Sequence, residues 1–524
     1  VIALEKEAVN ETSYEELDDL SRRFAAGLKQ RDVGRGDLVA LLAPSSSAWI
    51  TTCLGTIRAG ATPVPLDVQF DDDALVHVLD DSQPCLIFSD EKSHARIAEL
   101  DLDQSSEVFL LDKEDTDKQD KDAQRSWHQL FGDASDELPQ ASADDKAVLF
   151  YTSGTTGPTK GVPLTHDNIA VQIEMLLDVD SDLNFVDDND RVLLPLPLHH
   201  VYPLVVGMLT PLARGLPIVL PYSLTGPQMV RALNEADVTI LIGVPRLYRA
   251  LNDGIQAKAE SSGRVAKAAI RSAMRVSLWL RRQLGVRAGK WLLRPLHQQF
   301  GSSLRVAACG GSPLDDDLAW NLEALGWQVV IGYGLTETSP LLTLNPPGKA
   351  KIGTVGRAIP DVELRIDDSD DEVGGEVGGH TVGEILARGR SVFSGYRTLP
   401  VKTDEALSDD GWFRTGDLGF IDDDGYLHVT GRKGTMIVTE GGENVQPDDV
   451  ESAYAEHPAI REVGVLEADS QLVALIVPET SELDGDDPDK SIADAVETQA
   501  HVLPSYQRIG DFQLTRESLP RCRK

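Results

Sequence analysis

Cysteine is scarce: Cys53, Cys85, Cys309 and Cys522 are the only four in 524 residues, and no paired spacing relates them. A disulfide framework and a cysteine-based zinc site are therefore excluded, and a reducing compartment fits. Positive charge is short as well. Against 85 Asp and Glu stand 49 Lys and Arg, a formal net charge of -36, so general nucleic-acid binding, which needs a basic face to displace counterions, is not expected. Such an excess of carboxylate repels itself unless counterions screen it, and a salt-rich cytoplasm is expected, with an ordinary acidic enzyme as the alternative. One stretch could be mistaken for a membrane span: residues 192–213 carry no Asp, Glu, Lys or Arg. Pro195, Pro197, Pro203, Pro211 and the pair His199-His200 interrupt that stretch. Prolines inside a helix remove hydrogen bonds that lipid cannot replace, so a buried segment lining a pocket is expected in place of a membrane span. The first residues, Val1-Ile2-Ala3-Leu4-Glu5, have no basic region or long apolar core, so no signal peptide is expected.

What is present belongs to a folded α/β chain. A composition of 41% hydrophobic and 26% charged residues is that of a globular protein, and the length allows roughly two to four domains. Short apolar runs alternate with longer helical patterns: strands are expected at 38–42, 62–65, 85–88, 148–151, 238–242, 304–308 and 328–331, and a helix at 48–59. That rhythm predicts parallel sheets flanked by helices, with ligands at the carboxyl ends of the strands. Residues 101–145, 367–379 and 484–489, rich in carboxylates, read as surface excursions. After Gly431 the pattern resets to a helix at 450–455 and strands at 463–466 and 472–477, the signature of a small C-terminal α+β domain.

The densest chemistry lies at Tyr151-Thr152-Ser153-Gly154-Thr155-Thr156-Gly157-Pro158-Thr159-Lys160-Gly161. Glycines admit an anion to the backbone N–H groups, hydroxyls donate further hydrogen bonds, and the lysine adds a point charge, so the loop suits phosphate. It is not the common nucleotide loop, since no hydroxyl follows Lys160. The segment resembles the phosphate loop of the adenylate-forming enzymes, which include acyl-CoA synthetases, luciferases and peptide-synthetase adenylation domains. Four further blocks resemble the family in order: Gly332-Tyr333-Gly334-Leu335-Thr336-Glu337-Thr338, Gly411 to Leu418 around Asp417, Gly425-Tyr426-Leu427 with Gly431-Arg432-Lys433, and Gly441-Gly442-Glu443-Asn444.

The resemblance implies a large multi-layer N-terminal adenylation domain over 1–431, holding the ATP and acyl sites, and a small mobile C-terminal domain over 432–524, joined by a hinge and truncated at its end. It implies that Thr152, Ser153, Gly154, Thr155, Thr156 and Lys160 hold phosphate, that Gly310, Gly311 and Ser312 separate adenine from the acyl pocket, and that Gly332, Tyr333 and Gly334 receive adenine. Asp417 would accept the ribose hydroxyls, and Thr152 and Glu337 would hold Mg2+. His200, Thr336, Glu337 and Arg432 are the implied catalytic set, His200 guiding the substrate carboxylate. Two departures stand out: Lys433 is followed by Gly434, which would free the hinge, and the chain stops two positions short of the expected adenylation lysine, so slow adenylation is expected of it.

The implied activity is activation of a long-chain fatty acid as acyl-AMP with release of pyrophosphate, then transfer to CoA. Alternatives are a ligase loading an acyl carrier protein, a medium-chain or aryl acid CoA ligase, and a luciferase-like oxygenase; a phosphate-loop NTPase or a silent ATP binder would release orthophosphate or show no exchange. Residues 246–294 carry twelve Lys or Arg against Asp253 and Glu260. On a helical wheel Arg264, Lys267, Arg271, Arg275 and Arg282 share one stripe, with Val265, Ala269, Ala273, Val276 and Leu280 opposite. A cytoplasmic protein with peripheral membrane contact through 264–294 is the expectation.

Overall fold

The computed structural model describes residues 1–524 except 101, 103–105, 113–124, 135–136, 153–158, 184–185, 262, 346–349, 370–374, 436, 439–443, 446, 469–470, 480–487, 502, 505–506, 517–518 and 520–524. Its backbone is a nine-stranded sheet. In spatial order the strands are Arg357–Ala358, Leu341–Asn345, Gln328–Gly334, Val306–Cys309, Ile240–Gly243, Val192–Leu193, Ile218–Leu220, Ile2–Leu4 and Val9–Glu11. The inner pairs are parallel and the strands at both edges antiparallel. Side-chain alternation splits the sheet into two faces: Ile240, Ile242, Val306 and Val330 point into one core, and Leu241, Ala307 and Val329 into another.

A second, fully parallel sheet runs Thr62–Pro65, Leu38–Leu42, Leu86–Ser89, Glu107–Leu110. A five-stranded antiparallel sheet contains Val362–Asp367, Gly375–Val377, His380–Gly389, Phe413–Ile421 and Leu427–Arg432. Helices begin where short polar side chains satisfy their open N–H groups. Ser13 and Glu16 form a reciprocal capping box for Tyr14–Lys29, and Asp71 and Asp315 cap Asp72–Ser82 and Asp316–Leu325. The C-terminal part encloses its own core of Val445, Val450, Tyr454, Ile476 and Ile492 between two helices and the sheet Ile460–Ala468, Gln471–Pro478, Asp511–Leu514. The architecture is thus a large α/β domain followed by a smaller one, and the expected boundary at 431/432 falls at the last residue of the strand Leu427–Arg432.

Several local expectations are corrected. Residues 101–145 are not merely a surface excursion, because the apolar run around Phe109 supplies the fourth strand of the parallel sheet and Trp127 is buried beside it. The expected strand at 148–151 forms, as Lys146–Thr152, but it pairs antiparallel with Lys160–Thr165 in a two-stranded hairpin. Residues 192–213 are buried over much of their length, and no helix among the described residues is long and apolar enough to cross a membrane. Their prolines nonetheless enter helix: a π-helical turn spans Pro203–Leu209 and an α-helix Thr210–Arg214, with Pro203 and Pro211 each at a starting position where a missing N–H costs least.

The wheel for the basic helix is rotated in the fold. In Arg264–Leu284 the packing side is Ile270, Ala273, Met274 and Ser277, while Val265 and Val276 face outward. Arg281 turns inward and, with Arg287, grips Glu323, whose side chain is 1% exposed. One buried carboxylate fixes the rotation of the helix, since an unpaired charge there would cost several kcal/mol, about 3–5 when a partner is removed.

Candidate active site

The strands Ile240–Gly243, Val306–Cys309 and Gln328–Gly334 are parallel neighbours whose carboxyl ends share one edge, the edge at which open α/β sheets bind ligands. Val306–Cys309 runs into Gly310-Gly311-Ser312, where Gly311 has φ 84°, a conformation that favours glycine. The Tyr202 ring packs on Gly310, and its hydroxyl donates to the Ala308 carbonyl at 3.1 Å. Gln328–Gly334 runs into the short 3-10 turn Thr336–Thr338. A side chain at Gly334 would collide with the backbone of Pro340, so that crossing requires glycine.

Two polar corners flank this turn. In the first, Tyr333 donates to Asp417 at 2.8 Å, and Arg432 pairs with the other oxygen of that carboxylate at 2.7 Å. Asp417 is 3% exposed, and its backbone N–H donates to Thr415 Oγ1. The antiparallel register places Asp417 directly opposite Arg432, so the sheet itself builds the pair. Burial, then the Asp417 carboxylate, push the Tyr333 phenol well above its ordinary range; it remains a donor at neutral pH.

In the second corner, the hairpin pairs Thr152 with Lys160, on either side of residues 153–158. Lys160 Nζ lies 4.7 Å above the Tyr396 ring, a cation–π contact, and the Tyr396 hydroxyl donates to Glu337 Oε1 at 2.9 Å. Burial and the Glu337 carboxylate raise the Tyr396 phenol, which stays protonated. Asp81 holds the same corner from behind: its carboxylate accepts from Tyr151 at 2.6 Å and Thr398 at 2.9 Å, and its carbonyl accepts from Arg397. Gln172, fully buried, exchanges two hydrogen bonds with the Leu341 backbone and so ties the turn to the helix His166–Leu183.

Between the strand tips and the starting edge of the sheet runs an apolar cavity of about 110 Å³. Gly332, Ala308 and Cys309 line it at the tips, and Val206, Ile240 and Val306 along its walls. Arg214 and Leu216, which precede the strand Ile218–Leu220, line it at the other end, where Arg214 pairs with the exposed Asp188 at 2.8 Å.

The fold therefore gathers Thr152 and Lys160 beside Glu337, with Thr336 in the same turn as Glu337, and Tyr333, Asp417 and Arg432 beside one another; Gly310, Gly311 and Ser312 follow the strand Val306–Cys309, and Gly332 and Gly334 lie at the end of the strand Gln328–Gly334. His200 differs. It is exposed and does not line the cavity, a position held by Tyr202 two residues on. Ser153, Gly154, Thr155 and Thr156 lie outside the described residues, as do Gly441, Gly442, Glu443 and residues 520–524. Reading the sequence missed Tyr396, Asp81, Gln172 and Tyr202; for Tyr396 the signal was a Gly395-Tyr396 step between two recognised blocks.

A model of the AMP-binding enzyme family matches residues 2–397. The long-chain-fatty-acid–CoA ligase FadD15 of Mycobacterium bovis is 31% identical over 459 residues, 85% of this chain and 73% of that protein. A feruloyl-CoA synthase from Amycolatopsis is 30% identical over 91% of this chain and 85% of its own length. Among solved structures, ATP-bound MatB from Rhodopseudomonas palustris superposes with a TM-score of 0.75 at 27% identity, covering 99% of this chain and 92% of that one.

Proposed function

Since this chain belongs to the AMP-binding enzyme family, we propose that it is an acid–CoA ligase that activates a long-chain fatty acid through its acyl-AMP. The observation that carries the ligase reading is the apolar cavity lined at one end by Gly332 and Cys309, beside the corner of Tyr333 and Asp417, where the apolar part of an acid can sit next to the nucleotide. A carboxylate cannot expel oxide. Its oxygen therefore attacks the α-phosphorus of ATP, the bond to the β-phosphate oxygen breaks, and pyrophosphate leaves. The thiol of CoA, losing its proton, then attacks the acyl carbon and expels AMP.

Asp417 accepts the ribose hydroxyls, Tyr333 offers adenine a stacking face, and Lys160 with Thr152 and the 153–158 loop takes the outer phosphates. Placing phosphate anions in a chain of net charge -36 demands local cations, and Lys160 and Arg432 stand at the two corners. Glu337 fits Mg2+, which binds through one or two carboxylates plus phosphate oxygens and water, where it would neutralise phosphate charge. His200, at the entrance to the helical segment that lines the cavity, positions the substrate carboxylate. The segment from 432 acts as the mobile domain, with Arg432 and Lys433 at its hinge; Lys433 faces Glu384 at 3.6 Å, a contact that rotation would exchange.

The length of the segment between Tyr248 and Leu304 and the likeness to FadD15 support a long-chain fatty acid; the modest volume of the cavity, about 110 Å³, and the likeness to a feruloyl-CoA synthase support an aryl acid. A screen of pyrophosphate release over acids of graded length and over aryl acids decides between them. Release that peaks with long aliphatic acids, followed by acyl-CoA formation, is the expected result; orthophosphate in place of pyrophosphate overturns the ligase reading, and a peak at aryl or short acids overturns the chain-length reading. At the end away from the strand tips, Arg214→Ala should shift the kcat/KM ratio between longer and shorter acids by roughly tenfold, the worth of a methylene or so of pocket. An unchanged length profile would remove Arg214 from the acyl site.

A further inference from the structure

We propose that the outward face of the helix Arg264–Leu284, with the neighbouring Trp291, docks on the surface of an anionic lipid bilayer. Once Ile270, Ala273, Met274 and Ser277 have packed on the body, the side facing solvent is not simply hydrophilic. Val265 is 85% exposed, Trp279 57% and Trp291 80%. At 100° per residue Arg264, Arg275, Trp279 and Arg282 fall on the same outward stripe, and all are exposed. Indole rings and guanidinium groups side by side suit the headgroup region, where the rings reach the acyl boundary and the charges reach phosphate.

Charge selects the occupant. Of the twelve cations in residues 246–294, Arg281 and Arg287 are taken up by Glu323, and Lys267 and Arg271 by Glu260, but Arg264, Arg275 and Arg282 are exposed on this face, so on a chain of net charge -36 it is a local site of attraction for anions. Carboxylates on a second copy would satisfy the arginines but give Trp279 and Trp291 no apolar layer; a bilayer gives both. The helix is held rigidly for this by Arg281 and Arg287 on buried Glu323. It lies on the face of the large sheet opposite the cavity walls Ile240, Ile242, Val306 and Val330, so docking and chemistry are separately measurable and the inference does not rest on the proposed substrate.

The test is flotation of the full chain, at low salt, with vesicles of phosphatidylcholine alone or mixed equally with phosphatidylglycerol. The wild-type chain should float with the mixed vesicles and not with phosphatidylcholine, and binding should weaken as salt rises. W279A/W291A and R264Q/R275Q, which alter only exposed side chains, should each weaken binding roughly tenfold or more while keeping the wild-type melting temperature and pyrophosphate release. Failure of the wild type to float, or flotation of both variants like the wild type, overturns the proposal. So does a lipid-free dimer that both variants dissociate in a chain that does not float, which would assign the face to a second copy.

Discussion

Asp417→Ala is expected to lower kcat/KM for ATP in pyrophosphate exchange by roughly a hundredfold to a thousandfold, about 3–4 kcal/mol, chiefly through KM. The carboxylate is 3% exposed and holds both the Tyr333 hydroxyl and the Arg432 guanidinium. Ribose must be bound by the same oxygens, so truncation removes the nucleotide contact and the group that orients both neighbours. The folded state should lose about 1–3 kcal/mol, because Tyr333 forfeits its acceptor and Arg432, still 31% exposed, can turn to water. Asp417→Asn separates the two effects: it keeps an acceptor for Tyr333, recovers most of the stability and leaves ATP binding impaired. Exchange kinetics beside thermal melting provide the check. An Asp417→Ala protein within fivefold of wild type in kcat/KM for ATP would end the ribose assignment.

Glu337→Gln should reduce kcat by a comparable factor, roughly a hundredfold, and raise the Mg2+ concentration needed for half-maximal rate. The substitution is nearly isosteric: the Tyr396 hydroxyl still finds an acceptor, and the Glu337 carbonyl still accepts from the Phe393 N–H at 2.8 Å. What disappears is negative charge. Tyr396→Phe removes only the orienting hydrogen bond, worth about 0.5–1.5 kcal/mol, and should cost threefold to tenfold without moving the Mg2+ midpoint far. Titration of exchange rate against Mg2+ for the three proteins reads both quantities. A wild-type Mg2+ midpoint for Glu337→Gln would remove that carboxylate from metal binding.

The large sheets were legible because their strands are short apolar runs closed by glycine or proline, as at 38–42, 240–243, 306–309 and 328–334. The strand Glu107–Leu110 was hidden, since four residues set among carboxylates carry no period long enough to read. The glycine and hydroxyl run marked the phosphate hairpin plainly, yet nothing local says that its strand pairs antiparallel. Asp417 and Arg432 were each visible, but their pairing depends on the register of two strands. The orientation of Arg264–Leu284 could not be read from its own residues, because the deciding group, Glu323, lies on another helix. Tyr396 and Asp81 were missed for the same reason: their meaning comes from partners 59 to 317 residues away.

Asp81 and Arg397 meet although they lie 316 positions apart in the chain. A chain emerging from the ribosome therefore completes Asp72–Ser82 and the first parallel sheet long before the residues that brace the phosphate hairpin exist. During that interval the hairpin has Tyr151 on Asp81 but neither Arg397 nor Thr398, so nucleotide cannot assist early folding, and the catalytic pocket is among the last parts of the large domain to mature.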